Sequence, residues 1–144
     1  MGAAGVRPVV VGVDGSPASL AALEWAARQA TLTGAPLEVV TTWEWPQSFG
    51  WALPLPDYNP AEDAERMLDE ATQTVRTAHP GLEVRTSVVG GHPAPTLIDA
   101  SKGASLLVVG SRGRGEFAGM LLGSVSAHCV TNAECPVVVV RDTG

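Results

Sequence analysis

Positive charge is scarce in this chain. Nine Lys and Arg stand against fifteen Asp and Glu over 144 residues, a formal net charge of −6. Contact with a phosphate backbone needs a basic surface, so nucleic acid is not expected as the main partner. Cysteine is scarce too. Cys129 and Cys135 are the only two, too few for a disulfide framework and without a Cys-x2-Cys spacing. They read as reduced thiols of a cytoplasmic protein: Cys129 packed in a helix, Cys135 a core residue before proline. No apolar run approaches the roughly 18 residues of a membrane span. The N-terminal "MGAAGVRP" lacks the charged-then-apolar order of a signal peptide, and Val6 stands where a myristoylation signal wants Ser or Thr. His79 and His128 have no partner at metal-ligand spacing, so no metal site is expected. What remains is 45% apolar and 17% charged, a globular composition whose length suits one domain, 1–144.

Strands and helices alternate along that domain. "RPVVVGVD" (7–14) is a short apolar run ending in the turn chemistry of "DGSP", which predicts a strand buried on both faces. Ser16 and Pro17 start a helix, the hydroxyl as cap and the proline at the first position. Leu20, Leu23, Ala27 and Ala30 form its apolar stripe, and Gly34 is its stop. Strands follow at 36–43, 82–90, 105–110 and 136–141. Helices begin at Asn59-Pro60, with acids clustered early, in "PAPTLIDASKG", closed by Gly103, and at about Gly123, running to Asn132. Segment 44–59 holds three prolines and two of the four tryptophans, too much proline for a helix or central strand. This β-α-β-α-β-α-β-α-β order predicts an α/β fold, a parallel sheet with helices on both faces. Ligands in such sheets bind beyond the carboxyl ends of the strands, where strand order reverses.

The richest chemistry lies in "VVGSRGRGEFAGMLLGSVSAHCV" (108–130), where Gly110, Gly113, Gly115, Gly119 and Gly123 fall within fourteen residues. Glycine lets backbone approach a ligand closely and reach positive φ, so that N–H groups converge on an anion. A helix starting at Gly123-Ser124 adds oriented donors. Two uses stay open at this point, a phosphate site and a flexible connection. Ser124 donates to a phosphate or simply caps its helix. The loop is no P-loop, because the lysine of Gly-x4-Gly-Lys-[Ser/Thr] is missing. "GRGEFA" (113–118) matches Gly-x-Gly-x-x-[Gly/Ala], but only 26 residues follow it and the next strand ends in Arg141, not in the acidic residue that a dinucleotide site needs. Asp14 is either a turn residue before "GSP" or a ligand contact.

One spacing is more specific: Gly110-x2-Gly113-x9-Gly123-Ser124, with "VGVDGS" after the first strand. Together these resemble the ATP-binding branch of the universal stress protein family, over the whole chain. The resemblance implies a Rossmann-like five-stranded parallel sheet of order 3-2-1-4-5 that binds an adenine nucleotide. It gives Asp14 to the ribose or adenine region, and Gly12, Val13 and Thr42 to the adenine pocket. Gly110 and Gly113 would pass the ribose and phosphates. Gly123, Ser124 and Val125 would present N–H groups and a hydroxyl to the phosphates. Arg112 and Arg114 are not fixed by the motif; their charge suits a polyphosphate, and they equally suit a solvated loop.

In that order "PVVVVR" (136–141) is an edge, and four consecutive valines on an exposed edge form an aggregation template. Pairing with a second copy across a two-fold axis removes the hazard. The resembled family dimerises in this way, so a homodimer is expected. The implied function is binding of ATP, with Mg2+ on the phosphates, in a stress response. Cyclic AMP is an alternative ligand, and a slow ATPase or phosphotransferase an alternative activity, although no base or nucleophile is positioned by the sequence. His92, in "GGHPAP", reads as a solvent-exposed loop residue. Trp43, Trp45 and Trp51 flank the base or cover the sheet end.

Overall fold

The computed structural model describes residues 6–44, 59–113 and 122–142. Five strands, β1 (Val9–Gly12), β2 (Leu37–Trp43), β3 (Val84–Gly90), β4 (Leu106–Gly110) and β5 (Val137–Val140), alternate with four helices. These are α1 (Pro17–Thr33), α2 (Pro60–Ala78), α3 (Pro93–Ala100) and α4 (Ser124–Asn132). The strands form one sheet of order β3-β2-β1-β4-β5, every pair parallel. That is the fold the family resemblance implies.

The central strands are buried on both faces, which is why they are rich in valine and leucine. Val9, Val11, Leu37, Val39 and Val108 pack on one face against α1 and α2, through Ala22, Leu23, Ala26, Ala27, Leu68 and Val75. Val10, Val40, Leu107 and Val109 pack on the other against Leu97 of α3 and Cys129 of α4. The strands are shorter than the apolar runs. β1 spans 9–12 rather than 7–14, because a strand ends where its pairing ends, and β4 matches it only from Val9 to Val11.

Helix α1 is set at both ends as its residue types dictate. Ser16 Oγ accepts the Ser19 N–H at 3.3 Å, Pro17 follows, and Gly34 closes the helix in the left-handed region at φ 73° with its N–H on Ala30 O. The buried face is mostly alanine: Ala18, Ala22, Ala26, Ala27 and Ala30. Small side chains let the helix backbone lie close to the strands. Leu20 departs from the expected stripe: it is 42% exposed, because the alanines take the sheet-facing arc and leave it on the flank towards α2. The close approach reaches its limit at Gly110, where a Cβ would stand 2.7 Å from the Ala18 carbonyl carbon and 2.8 Å from Ser19 N.

The remaining helices follow their caps. Asn59 accepts the N–H groups of Ala61 and Glu62 at 3.0 and 3.2 Å, with Glu62 and Asp63 in the first turn of α2. Helix α3 stops at Ala100 with Ser101 as its cap, three residues before the expected stop. Gly103, at φ 81°, serves the turn into β4 instead. β5 sits at the sheet edge with all four valines half-buried. Among the described residues no helix is long and apolar enough to cross a membrane.

Gly110→Val would place a side chain against backbone that cannot rotate away. Urea unfolding is expected to show a loss of about 1–3 kcal/mol, with native-like circular dichroism below the transition. An unchanged midpoint would mean that α1 moves off the sheet at little cost.

Candidate functional site

Strand order reverses between β1 and β4. The chain leaves β1 through α1 towards β2, and leaves β4 towards α4 and β5, so a crevice opens at their carboxyl ends. A cavity of about 100 Å³ lies there. Gly12, Val13 and Asp14 line it from β1, Thr42 from β2, Gly110, Arg112 and Gly113 from β4, and Gly123 and Val125 from the start of α4. Nine of the ten residues expected from sequence thus line one cavity, although they come from four separate elements. Ser124 is not part of the lining but stands between two residues that are. Arg114 lies outside the described residues, as do Trp45 and Trp51.

Asp14 is a turn residue, as one of its two sequence readings has it, and it also lines the cavity. Its Oδ1 accepts the Ser16 N–H at 2.9 Å, and its own N–H donates to Ser19 Oγ at 3.1 Å. Gly15 follows at φ 85°, a conformation that glycine adopts freely. The turn therefore holds the carboxylate at the cavity. Across the crevice, a Cβ on Gly113 would stand 2.8 Å from Asp14 Oδ2. The glycine motif acts here by close approach and not by left-handed backbone. Positive φ falls at Gly15, Gly34, Gly91 and Gly103 among the described glycines, none of which belongs to the motif. Gly110 is required by α1, Gly113 faces Asp14, and Gly123 is the extended N-cap of α4 at φ −74° and ψ 170°.

Helix α4 points its start at the same cavity. Its first helical bond runs from Ala127 N–H to Gly123 O at 3.0 Å. First-turn amides lie ahead of such a ladder, at the positive end of the helix dipole, an arrangement that suits an anion. The sequence reading missed the rest of the lining. Pro93 and Leu97 of α3 close it, with Val40 and Val109 beneath and Ser19 and Ser126 at the edges. Leu97 is 4% exposed, and its Cδ1 would stand 2.6 Å from a Cβ on Gly12. The alternation of β2 and β4 signals Val40 and Val109, which share a sheet face with Val10; nothing in the sequence singles out Leu97.

The other candidates fall outside this lining. His92 is exposed at the rim, caps α3 without a side-chain bond, and lies 3.0 Å through Nδ1 from Glu44 Oε1. His79 Nδ1 lies 3.3 Å from Thr31 Oγ1, at the far end of α1 from the cavity. Trp43 packs over Gly90, where a Cβ would be 3.0 Å from its ring, so it covers the end of the sheet. No group of three His, Cys, Asp or Glu able to hold a metal occurs among the described residues. Both cysteines are free, and burial pushes the Cys129 thiol up to about 11.

The model of the universal stress protein family matches residues 5–141, and the chain belongs to that family. Universal stress protein Rv1996 of Mycobacterium tuberculosis is 40% identical over 139 residues, which cover 93% of this chain and 44% of the relative. Universal stress protein Rv2623 of the same organism is 36% identical over 151 residues, covering 93% and 47%. The chain therefore spans about half the length of the curated relatives it matches. Among solved structures, a universal stress protein in complex with cAMP is 31% identical at a TM-score of 0.71, covering 95% of this chain and 98% of that one. The universal stress protein from Archaeoglobus fulgidus in complex with dAMP is 25% identical at a TM-score of 0.67, covering 93% and 97%.

A raised thiol pKa makes Cys129 inert at neutral pH, since only the thiolate reacts. Native protein at pH 8 is expected to alkylate at half-buried Cys135 first, with Cys129 at least tenfold slower and the two rates converging in urea. The native state holds the Cys129 proton more tightly than the unfolded chain. Its contribution to stability is therefore full below pH 9.0 and is lost as pH rises towards 11. Equal native rates, read by mass spectrometry of the labelled peptides, would contradict this burial.

Proposed function

We propose that the protein is an adenine-nucleotide-binding regulatory module, with ATP as its first ligand, acting in a stress response. One observation carries the reading: the cavity at the β1/β4 reversal is lined by motif residues of β1, β2, β4 and α4. The base lies between the backbone of Gly12 and Val13, the side chain of Thr42 and the apolar wall of Leu97. The Asp14 carboxylate, held by Ser16 N–H, accepts a hydrogen bond from a ribose hydroxyl. The phosphates meet the backbone near Gly110 and Gly113 and the start of α4, with N–H groups of Gly123, Ser124 and Val125 and the Ser124 hydroxyl as donors. Arg112 adds charge at the rim of the cavity. Mg2+ arrives on the nucleotide. Asp14 and the Ser124 hydroxyl offer one carboxylate and one neutral oxygen, a donor set that suits a metal bound chiefly by phosphate oxygens.

Cyclic AMP is the second reading, supported by the solved relative bound to it. A single cyclised phosphate needs fewer donors than a triphosphate, so the same helix start serves it. Extensively dialysed protein is expected to melt several degrees higher with millimolar ATP·Mg, because a thousandfold excess over Kd adds about 4 kcal/mol. Gly113→Val drives a side chain into the Asp14 carboxylate and should abolish that shift while the far-ultraviolet spectrum stays unchanged. A larger shift with cyclic AMP than with ATP would select the second reading, and normal ATP binding by Gly113→Val would overturn the assignment of the loop.

We further propose a homodimer through β5. Pro136 O accepts from Leu107 N–H and Val140 O from Ser111 N–H, at 2.9 and 2.7 Å. Strand alternation therefore turns the polar groups of Val137 and Val139 outward. These are the groups a second copy would pair. Val139→Pro removes one outward donor and leaves the bonds to β4 in place. Sedimentation equilibrium is expected to show a dimer for the parent protein and a shift of at least tenfold towards monomer for the variant. A monomeric parent would refute the proposal.

A further inference from the structure

The neck of the glycine loop is held by one carbonyl. Ser111 O accepts the Gly123 N–H at 2.7 Å and the Ser126 hydroxyl at 2.9 Å. The chain leaves for the loop at residue 112 and returns at residue 122, so both donors close the loop at its base. The junction lies out of water: Ser126 is 2% exposed and Ser111 4%. Ser126 Oγ is also 3.1 Å from Gly123 O. A hydroxyl has one proton to give, and Gly123 O already takes the Ala127 N–H at 3.0 Å. The shorter contact, across to the end of β4, is the one that ties two elements together. The acceptor is itself anchored, since Ser111 N–H donates to Val140 O at 2.7 Å. A line of hydrogen bonds thus runs from the edge strand through Ser111 to the first turn of α4.

We propose that Ser126 is a positioning residue for phosphate binding: its hydroxyl fixes the start of α4 against β4, so that the first-turn amides stay aimed at the cavity. This rests on the nucleotide reading above. Hydrogen bonds weaken steeply as distance and angle depart from their optimum. A helix start that swings by a fraction of an ångström therefore loses several donors together. The base and ribose, held by β1, β2 and α3, are insulated from that motion. Removal of the hydroxyl should then weaken ligands in proportion to what they place at α4. Alanine suits this comparison because it is the best helix former and leaves almost no cavity.

The test compares the parent protein with Ser126→Ala and Ser126→Thr by three readings: titration calorimetry with ATP·Mg and with adenosine, amide hydrogen exchange at Gly123, and the urea midpoint. Ser126→Ala is expected to weaken ATP about tenfold and adenosine less than twofold, the size that one buried hydrogen bond allows. Its Gly123 amide should exchange at least tenfold faster while amides of β1 keep their rates. Ser126→Thr, which keeps the hydroxyl, should bind ATP within about threefold of the parent. Parent-like ATP binding by Ser126→Ala overturns the proposal, and so does an equal loss of ATP and adenosine. If the parent binds neither ligand, the nucleotide reading fails on its own. The Gly123 exchange rate then decides whether the hydroxyl holds the helix start, and an unchanged rate overturns that as well.

Discussion

The contact on which the molecule depends is the approach of α1 to the middle of the sheet. A face of alanines brings the helix backbone onto β1 and β4, and the missing Cβ of Gly110 lets its first turn settle there. That turn is also the end of the Asp14 loop. Ser19, buried in the same turn, accepts the Asp14 N–H and donates to Ser16 O at 3.0 Å. The packing that stabilises the core thus holds the carboxylate in place. Bulkier residues on this face would bury more apolar area, but they would lift the helix and carry the Asp14 turn away from Gly113.

Much of this was legible in the sequence, for physical reasons that differ by element. The order of strands and helices followed from apolar runs between turn residues, and α1 was bounded by a serine, a proline and a glycine whose geometries match their roles. Leu20 breaks the stripe because apolar spacing alone does not say which apolar residues face the sheet. In a helix pressed against a sheet, the smallest residues take the contact and the larger ones fill the flanks. Gly103 departs from its expected place for a similar reason: a glycine after a helical run marks a left-handed residue, but α3 already ends at Ser101. The parallel sheet followed from alternation alone, whereas its order came from family resemblance. Hydrophobic runs do not encode which strands are neighbours.

The site was legible where chemistry demanded particular residue types and illegible where it did not. Glycine spacing and an early Asp picked out the wall formed by β1, β4 and α4, because close approach and a carboxylate restrict what can stand there. Leu97 and Pro93 on the facing helix carry no such mark, since many apolar residues would close the cavity equally well. Ser126 went unnoticed because a serine in the first turn of a helix is commonplace. Its role depends on Ser111, fifteen residues earlier, being brought beside it. Positive φ plays no part at Gly110 or Gly123; neighbouring backbone and an extended cap account for them.

Charge poses the last constraint. On the proposed reading, a protein of net charge −6 takes up a polyphosphate against its own field, with an acid, Asp14, lining the cavity. The conflict is local in range. At physiological ionic strength exposed charges are screened beyond about 8 Å, whereas backbone donors act at hydrogen-bond distance. A pocket that recognises phosphate through helix and loop amides therefore loses little affinity to distant carboxylates. A nucleic acid is in a different position, because its phosphates spread along the whole surface and meet those carboxylates one after another. Backbone recognition on an acidic protein thereby admits a small phosphorylated ligand and disfavours a polymeric one. By the same reasoning, the proposed site would not need the lysine that a P-loop uses. A strongly basic side chain would raise affinity for every phosphate, whereas converging amides reward only the one that fits the crevice.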